Sequence, residues 1–264
     1  MSEAKGMVIS MKNEPILRVE DLIKRFGSVK AVDGICFQLK HGQALGIIGP
    51  NGSGKSTLIN LISGFVKPTS GKVEFQGKNI TGIAPHKAVN LGIGRSFQLA
   101  RPFYNLSVYK NVVISVNSYR ARKHMHGKYG DRDEIAIQLL EDVGFDRDSQ
   151  IPYKLAGELP HGYLKRLELA RCLALNPDII ILDELFSGMS LSEIAGILPL
   201  LRRIKDEGKT LIMVEHRLKE LFQVIDKVIV LNFGCKIAEG TPGEVMQVEE
   251  VSSAYLGSEV IEDA

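Results

Sequence analysis

The chain of 264 residues is poor in several features that would have decided its class at once. It has only three cysteines, Cys36, Cys172 and Cys235, isolated and far apart. They make neither a disulfide framework nor a metal-ligand cluster, and read as small apolar residues. No apolar run approaches the 18 or so residues needed to cross a bilayer, and Met1 to Asn13 lacks the apolar core of a secretory signal. A cytosolic location is therefore expected. Charge of one sign is not in excess either: 33 basic against 31 acidic residues leave a formal +2, so nothing demands a nucleic-acid partner. No internal repeat and no low-complexity linker divides the chain. A single compact unit with lobes is expected, large enough to bury a sizeable core.

What is present is a phosphate-cradling pattern. Gly49, Pro50, Asn51, Gly52, Ser53, Gly54, Lys55, Ser56 and Thr57 fit G-x-x-x-x-G-K-[ST] without a mismatch. Glycines let the backbone fold so that successive N–H groups point inward, Lys55 adds a point charge, and the Ser56 hydroxyl can reach Mg²⁺. The loop follows the strand-like run Gln43 to Ile48 and precedes Leu58 to Ile62 at helical spacing, with Gly64 as a stop. Strand, loop, helix is the order the chemistry needs, because the helix adds its positive dipole end.

A β-rich beginning surrounds this loop. Ile16 to Leu39 reads as two short strands separated by Lys24 to Ser28, and Lys72 to Phe75 as another. The middle third turns helical: Ala84 to Leu91, Val108 to Tyr119, Glu134 to Val143 and Leu164 to Leu175, with Ile93 to Phe97 strand-like between them. Arg120 to Lys128, with His124 and His126, reads as a solvated basic loop, since so much positive charge disfavours a metal. Strand and helix then alternate through Ile179–Leu182, Leu191–Ile204, Thr210–Val214, Leu218–Val224 and Val228–Leu231, the pattern of a parallel sheet with crossover helices.

A triphosphate site needs an acidic second half. Ile179 to Leu182 is a buried strand whose carboxyl end presents Asp183 and Glu184; the first would hold Mg²⁺ through water, and the second would act as general base on the attacking water. His216 follows the strand Leu211 to Val214 and can reach a γ-phosphate at the carboxyl edge of the sheet. Gln98, where strand gives way to the helical insert, can touch the metal or water. Phe26 is either a core aromatic or a ring that stacks on a purine.

In this order, Phe26-Gly27, the phosphate loop, Arg95-Ser96-Phe97-Gln98, Leu159-Pro160-His161-Gly162-Tyr163, Asp183-Glu184 and His216 resemble the nucleotide-binding subunit of an ABC transporter over nearly the whole chain. Gly77 to Gly82, Gly92 to Arg95, Lys236 to Pro242 and Ala254 to Gly257 are similar to the branched-chain amino-acid uptake ATPases. The resemblance implies an α/β fold, a P-loop NTPase of the ABC type with an antiparallel β-subdomain and a helical subdomain. Its lobes would be a catalytic core of residues 14–97 and 176–240, a helical subdomain of 99–175 and a C-terminal helical tail of 241–264. It implies ATP and Mg²⁺ as cofactors and ATP hydrolysis that energises uptake of a small solute. Implied partners are a second ABC ATPase subunit, transmembrane permease subunits and, indirectly, an external solute-binding protein, on the inner face of the cell membrane. Branched-chain amino acids, urea or another small polar solute stay open as cargo, as do a subunit of weak hydrolysis and a soluble regulatory ATPase.

Such subunits work as head-to-tail dimers in which one chain's L-S-G-G-Q signature closes on the other chain's nucleotide. Here Leu159 and Gly162 match, while Pro160, His161 and Tyr163 replace serine, glycine and glutamine. Proline brings neither hydroxyl nor N–H to a γ-phosphate. Leu185 replaces a proline after Glu184, and Ser190 stands where the loop often ends in aspartate or asparagine. The residues acting on the chain's own nucleotide all match, so a heterodimer with one normal signature is expected. Ala100 to Tyr104 either meets permease coupling helices, near Gln98 to Asn105, or closes the insert's own core.

Overall fold

The computed structural model describes residues 14–97, 101–124 and 132–256. In chain order the strands are β1 (Pro15–Phe26), β2 (Val29–Lys40), β3 (Ala44–Ile48), β4 (Ser70–Phe75), β5 (Lys78–Asn79), β6 (Ile93–Arg95), β7 (Ile179–Asp183), β8 (Thr210–Val214), β9 (Lys227–Asn232) and β10 (Cys235–Gly240). The helices are α1 (Lys55–Ile62), α2 (Pro85–Leu91), α3 (Val108–Val116), α4 (Tyr119–His124), α5 (Arg132–Asp142), α6 (His161–Leu173), α7 (Leu191–Asp206), α8 (Leu218–Leu221), α9 (Pro242–Val245) and α10 (Glu249–Leu256). The backbone divides into two compact units, residues 1–88 with 205–264, and residues 89–204.

The first unit holds an antiparallel sheet in the order β2-β1-β4-β5. Along β2, Val32, Ile35, Phe37 and Leu39 are buried and the residues between them are not, the period-2 signature of a sheet with one dry face. β1 and β2 are longer than the sequence pattern predicts. Lys24, Arg25 and Phe26 lie in β1, paired with Val32, Lys30 and Val29, and only Gly27 and Ser28 make the turn. Local chemistry suggested a loop at Lys24 to Ser28, but a two-residue turn with Gly27 at φ 59 lets the ladder run on.

The same unit holds the strands that carry the phosphate loop. β3 lies parallel to β8 on one side and β9 on the other, with β10 antiparallel to β9. All five residues of β3 are buried, as are all five of β8. Such strands are covered on both faces and read as continuous apolar runs, each large side chain contributing about 1.5–3 kcal/mol. Ile47 pairs with Val214, so the phosphate loop and the segment Glu215-His216 leave the sheet at the same edge.

The second unit pairs β6 with β7 in parallel and carries the helices α3 to α6 and most of α7. The single helix expected over Val108 to Tyr119 is two, α3 and α4, broken at Asn117 and Ser118. Arg120 also departs from the expected solvated loop: it lies in α4, is buried, pairs with Asp178 at 3.0 Å and donates to the carbonyls of Asn176 and Leu91. Of the two histidines beside it, His126 lies outside the described residues. Among the described residues no cluster of histidine, cysteine and carboxylate side chains suited to a metal ion occurs, and no helix is long and apolar enough to cross a membrane.

The cysteines divide. Cys172 is buried, whereas Cys36 and Cys235 are exposed, a correction to reading all three as small apolar side chains. The Cys36 sulfur accepts a hydrogen bond from the Asp21 amide at 3.0 Å.

Candidate functional site

The phosphate loop bridges β3 and α1, and its shape follows from glycine. Gly49 has φ 147, and a β-carbon there would collide with the backbone carbonyl of Leu231 and press on the Ser53 hydroxyl. No L side chain is compatible with that approach. Within the loop, Lys55 is 6% exposed, and its ammonium donates to the carbonyls of Gly49 at 2.7 Å and Pro50 at 2.9 Å. The Ser53 hydroxyl is buried and has no hydrogen-bond partner. A buried hydroxyl is ordinarily paired, so an orphan inside a glycine loop that also carries a buried lysine fits an anion seated there. Ser56, at the start of α1, is exposed.

A cavity of about 790 Å³ lies beside the first half of this loop, lined by Asn51, Gly52 and Ser53, by the 84%-exposed Phe233, and by Glu249 and Glu250 of α10. Two carboxylates on that wall disfavour a triphosphate by like-charge repulsion. Phe26 is 51% exposed with Lys24 Nζ over one face of its ring at 4.8 Å, so it is not a core aromatic. His216, two residues beyond β8, is exposed.

In the second unit, β7 ends on Asp183, whose carboxylate receives the Arg95 guanidinium at 2.9 Å; the two side chains are 7% and 8% exposed. Burial pushes the Asp183 carboxyl above its ordinary range, and the bond from Arg95 works in the opposite direction. Arg95 is the last residue of β6, and the Arg95 guanidinium sits 5.1 Å from the centre of the Phe97 ring. Gln98, the next residue, lies outside the described residues. Glu184 follows β7 in the left-handed region, φ 51, and Lys165 of α6 donates to its carbonyl at 3.0 Å. Neither Arg95 as the partner of Asp183 nor Lys165 as the partner of Glu184 emerged from sequence reasoning, for no local pattern marks a contact across 88 or 19 residues.

The altered signature segment is not a loop ahead of its helix. α6 begins at His161 rather than at Leu164 as the apolar spacing predicts, so His161, Gly162 and Tyr163 form its first turn and Pro160 is the N-cap, without a side-chain cap. Proline holds φ near −57° there, a value suited to helix entry. Each of the next residues is engaged within the chain. His161 Nε2 donates to the Ser187 carbonyl at 3.1 Å, the Tyr163 ring meets Phe145 edge-on at 5.1 Å, and Leu159 is buried. Over Gly162 lies the Glu193 carboxylate, where any β-carbon would collide with it. Glu193 and Ser190 cap α7 reciprocally: the Ser190 amide and hydroxyl each donate to Glu193 Oε2 at 2.8 Å, and the Glu193 amide donates back at 3.3 Å. These bonds hold the Glu193 carboxyl below the usual range. Ser190 is thus a helix cap within its own chain.

Hard oxygen donors are what Mg²⁺ prefers, with one or two carboxylates and several waters retained. Asp183, in the second unit, is a carboxylate of that kind, and Ser56, in the first, is an exposed hydroxyl. Among the described residues of the second unit, an aromatic patch lies exposed at Phe103 and Tyr104, 49% and 50%. Its backbone is held from below by buried Asn111, which accepts from the Phe103 amide at 2.7 Å and donates to the Phe103 carbonyl, while Arg171 lies 5.6 Å from the Phe103 ring.

The family described as ABC transporter matches residues 32–187. The chain is 32% identical over 255 residues, 93% of this chain and 99% of the other, to the high-affinity branched-chain amino acid transport ATP-binding protein BraF of Pseudomonas aeruginosa. Its backbone is similar to the ADP conformation of an ATP-binding cassette of an ABC transporter, with TM-score 0.80, 34% identity and coverage of 93% of this chain and 100% of that one. It is also similar to a bacterial ABC transporter cassette solved as a dimer, with TM-score 0.76, 25% identity and coverage of 86% and 98%. A strand–loop–helix built to seat phosphate, an acidic strand end and these likenesses lead to one conclusion: the chain belongs to the ABC transporter family, as an ATP-binding cassette that hydrolyses ATP.

Proposed function

We propose that the chain is the ATPase subunit of an importer for branched-chain amino acids, working at the cytoplasmic face of the membrane against permease subunits, with an external binding protein delivering solute and no nucleic acid involved. The observation that carries this reading is the phosphate loop, with the buried ammonium of Lys55 and the unpartnered hydroxyl of Ser53, in a chain that matches BraF over almost its full length. In the proposed mechanism the loop amides of Asn51 to Thr57 and the Lys55 ammonium neutralise the phosphates, and Phe26 stacks on the base. Bound Mg²⁺, held by Ser56, Asp183 and Gln98, would supply charge neutralisation of the phosphate oxygens. Glu184 takes the proton of the attacking water, and His216 and Gln98 read the γ-phosphate end.

We further propose that the chain pairs with a different ATPase. Its signature offers Pro160 without a donor, and its own Glu193 carboxylate lies over Gly162. A negative charge at the first turn of α6 competes with a partner's γ-phosphate for the same dipole end. The chain's own nucleotide would then meet a normal signature from the partner, and one of the two composite sites would turn over faster. Phe103 and Tyr104 would meet the permease, within the helical lobe 99–175.

Glu184→Gln tests the core of the reading. Nucleotide binding is expected to persist while turnover stops and a closed dimer with the correct partner accumulates, because the base is lost and the cradle kept. Unchanged hydrolysis sinks the assignment of Glu184. For the pairing, full and cooperative hydrolysis at two sites by the purified chain alone would refute the heterodimer.

A further inference from the structure

The acidic turn after β7 is held by a lysine that simple packing does not require. Lys165 is 1% exposed, in the second turn of α6, and its Nζ donates to the backbone carbonyl of Glu184 at 3.0 Å. That carbonyl also accepts from the Ser187 amide at 3.2 Å, closing a turn whose next two side chains, Leu185 and Phe186, are fully buried. Glu184 sits at φ 51, a left-handed conformation that a residue with a β-carbon adopts only when its surroundings enforce it. Burying an ammonium is costly unless it is well paired. The methylene stem alone would be matched by methionine. What methionine would lack is the donor to the strained residue and the positive charge that faces Glu168 and Asp183.

We infer that Lys165 is a positioning residue for Glu184: it fixes the backbone turn from which the base projects, and it does so from the helix that begins at the altered signature. Both ends of this contact lie in the unit 89–204. A shift of α6 when the signature segment engages a partner therefore moves the donor that holds the base, and the placement of Glu184 depends on the state of α6. The inference rests on the reading of Glu184 as general base.

Lys165→Met in the full-length chain tests it, with steady-state hydrolysis, titration of a fluorescent ATP analogue and thermal unfolding measured together. The expected result is a kcat lower by roughly tenfold to a hundredfold, the size of effect that follows a small misplacement of a catalytic group. KM and analogue affinity, measured below the unfolding transition, should stay within about twofold, although the transition itself should move down because the Glu168 and Asp183 carboxylates lose a nearby positive charge. Lys165→Arg, which keeps a charged donor on a long arm, should recover most of the kcat. Glu184→Gln in parallel separates the two failures: normal hydrolysis there refutes the base reading, whereas an inactive Glu184→Gln beside a Lys165→Met of wild-type kcat overturns the positioning role alone. A fall in kcat matched by an equal loss of analogue affinity also overturns it. Should the methionine variant not fold, Lys165→Gln takes its place, and wild-type kcat in that neutral variant overturns the inference.

Discussion

Arg95 and Asp183 form a buried ion pair, 2.9 Å between Nη2 and Oδ2, that ties the last residue of β6 to the last residue of β7. Removing one member of such a pair leaves the other charge stranded in a low-dielectric site, at a cost of about 3–5 kcal/mol. Arg95→Met should therefore lower Tm by something of the order of 10 °C, and the double variant Arg95→Met with Asp183→Asn should recover much of the loss. Thermal unfolding of the three proteins checks this. A single variant with wild-type Tm would show that the pair contributes nothing to stability.

Lys55 spends its ammonium on two loop carbonyls, those of Gly49 and Pro50. Lys55→Ala removes both a charged donor for phosphate and the bond that shapes the loop. Charge-assisted hydrogen bonds contribute roughly 1.5–3 kcal/mol, so nucleotide affinity should fall by at least about tenfold in a titration with a fluorescent ATP analogue. An affinity within twofold of wild type would contradict the reading of the loop.

Gly49 combines φ 147 with a neighbour it cannot push aside, the carbonyl of Leu231 in β9. Gly49→Ala is expected to cost about 2 kcal/mol or more, since both conformation and space oppose it. That corresponds to a fall in Tm of several degrees, together with weaker nucleotide binding. Gly77→Ala is a control for conformation alone, because a β-carbon there meets no neighbour within 4 Å at φ 72; it should cost clearly less.

Burial pushes the Cys172 thiol up to about 12, with the Glu168 carboxylate adding to the effect. The thiolate is the reactive form, so at pH 8 iodoacetamide should modify Cys36 and Cys235, which are exposed, and leave Cys172 unmodified until the chain is denatured. Mass spectrometry of native and denatured samples reads the difference directly. Three rapid modifications in the native protein would contradict the buried placement.

Short-range order was legible in the residues: the strand, glycine loop and helix around Lys55, the apolar strand ending on Asp183 and Glu184, and the alternation of strand and helix thereafter. These signals are local, arising from backbone conformations that glycine permits, from apolar periodicity and from turn chemistry, so a stretch of ten residues suffices to show them. Helix and strand ends were less legible. Lys24 to Phe26 continues β1 because its partner strand extends the ladder, and α6 starts at His161 because Pro160 holds the chain at φ near −57° where the helix begins, neither of which apolar spacing reports.

The sequence by itself determined that the chain seats a nucleoside triphosphate and presents an acidic strand end, and that its signature departs from the family's. Only the tertiary structure decided which groups hold those residues in place: Arg95 against Asp183, Lys165 beneath Glu184, Glu193 over Gly162, and which cysteines are open to solvent. Such pairings join residues as many as 88 positions apart. Their choice follows from how strands register and helices pack, and no local spacing encodes it.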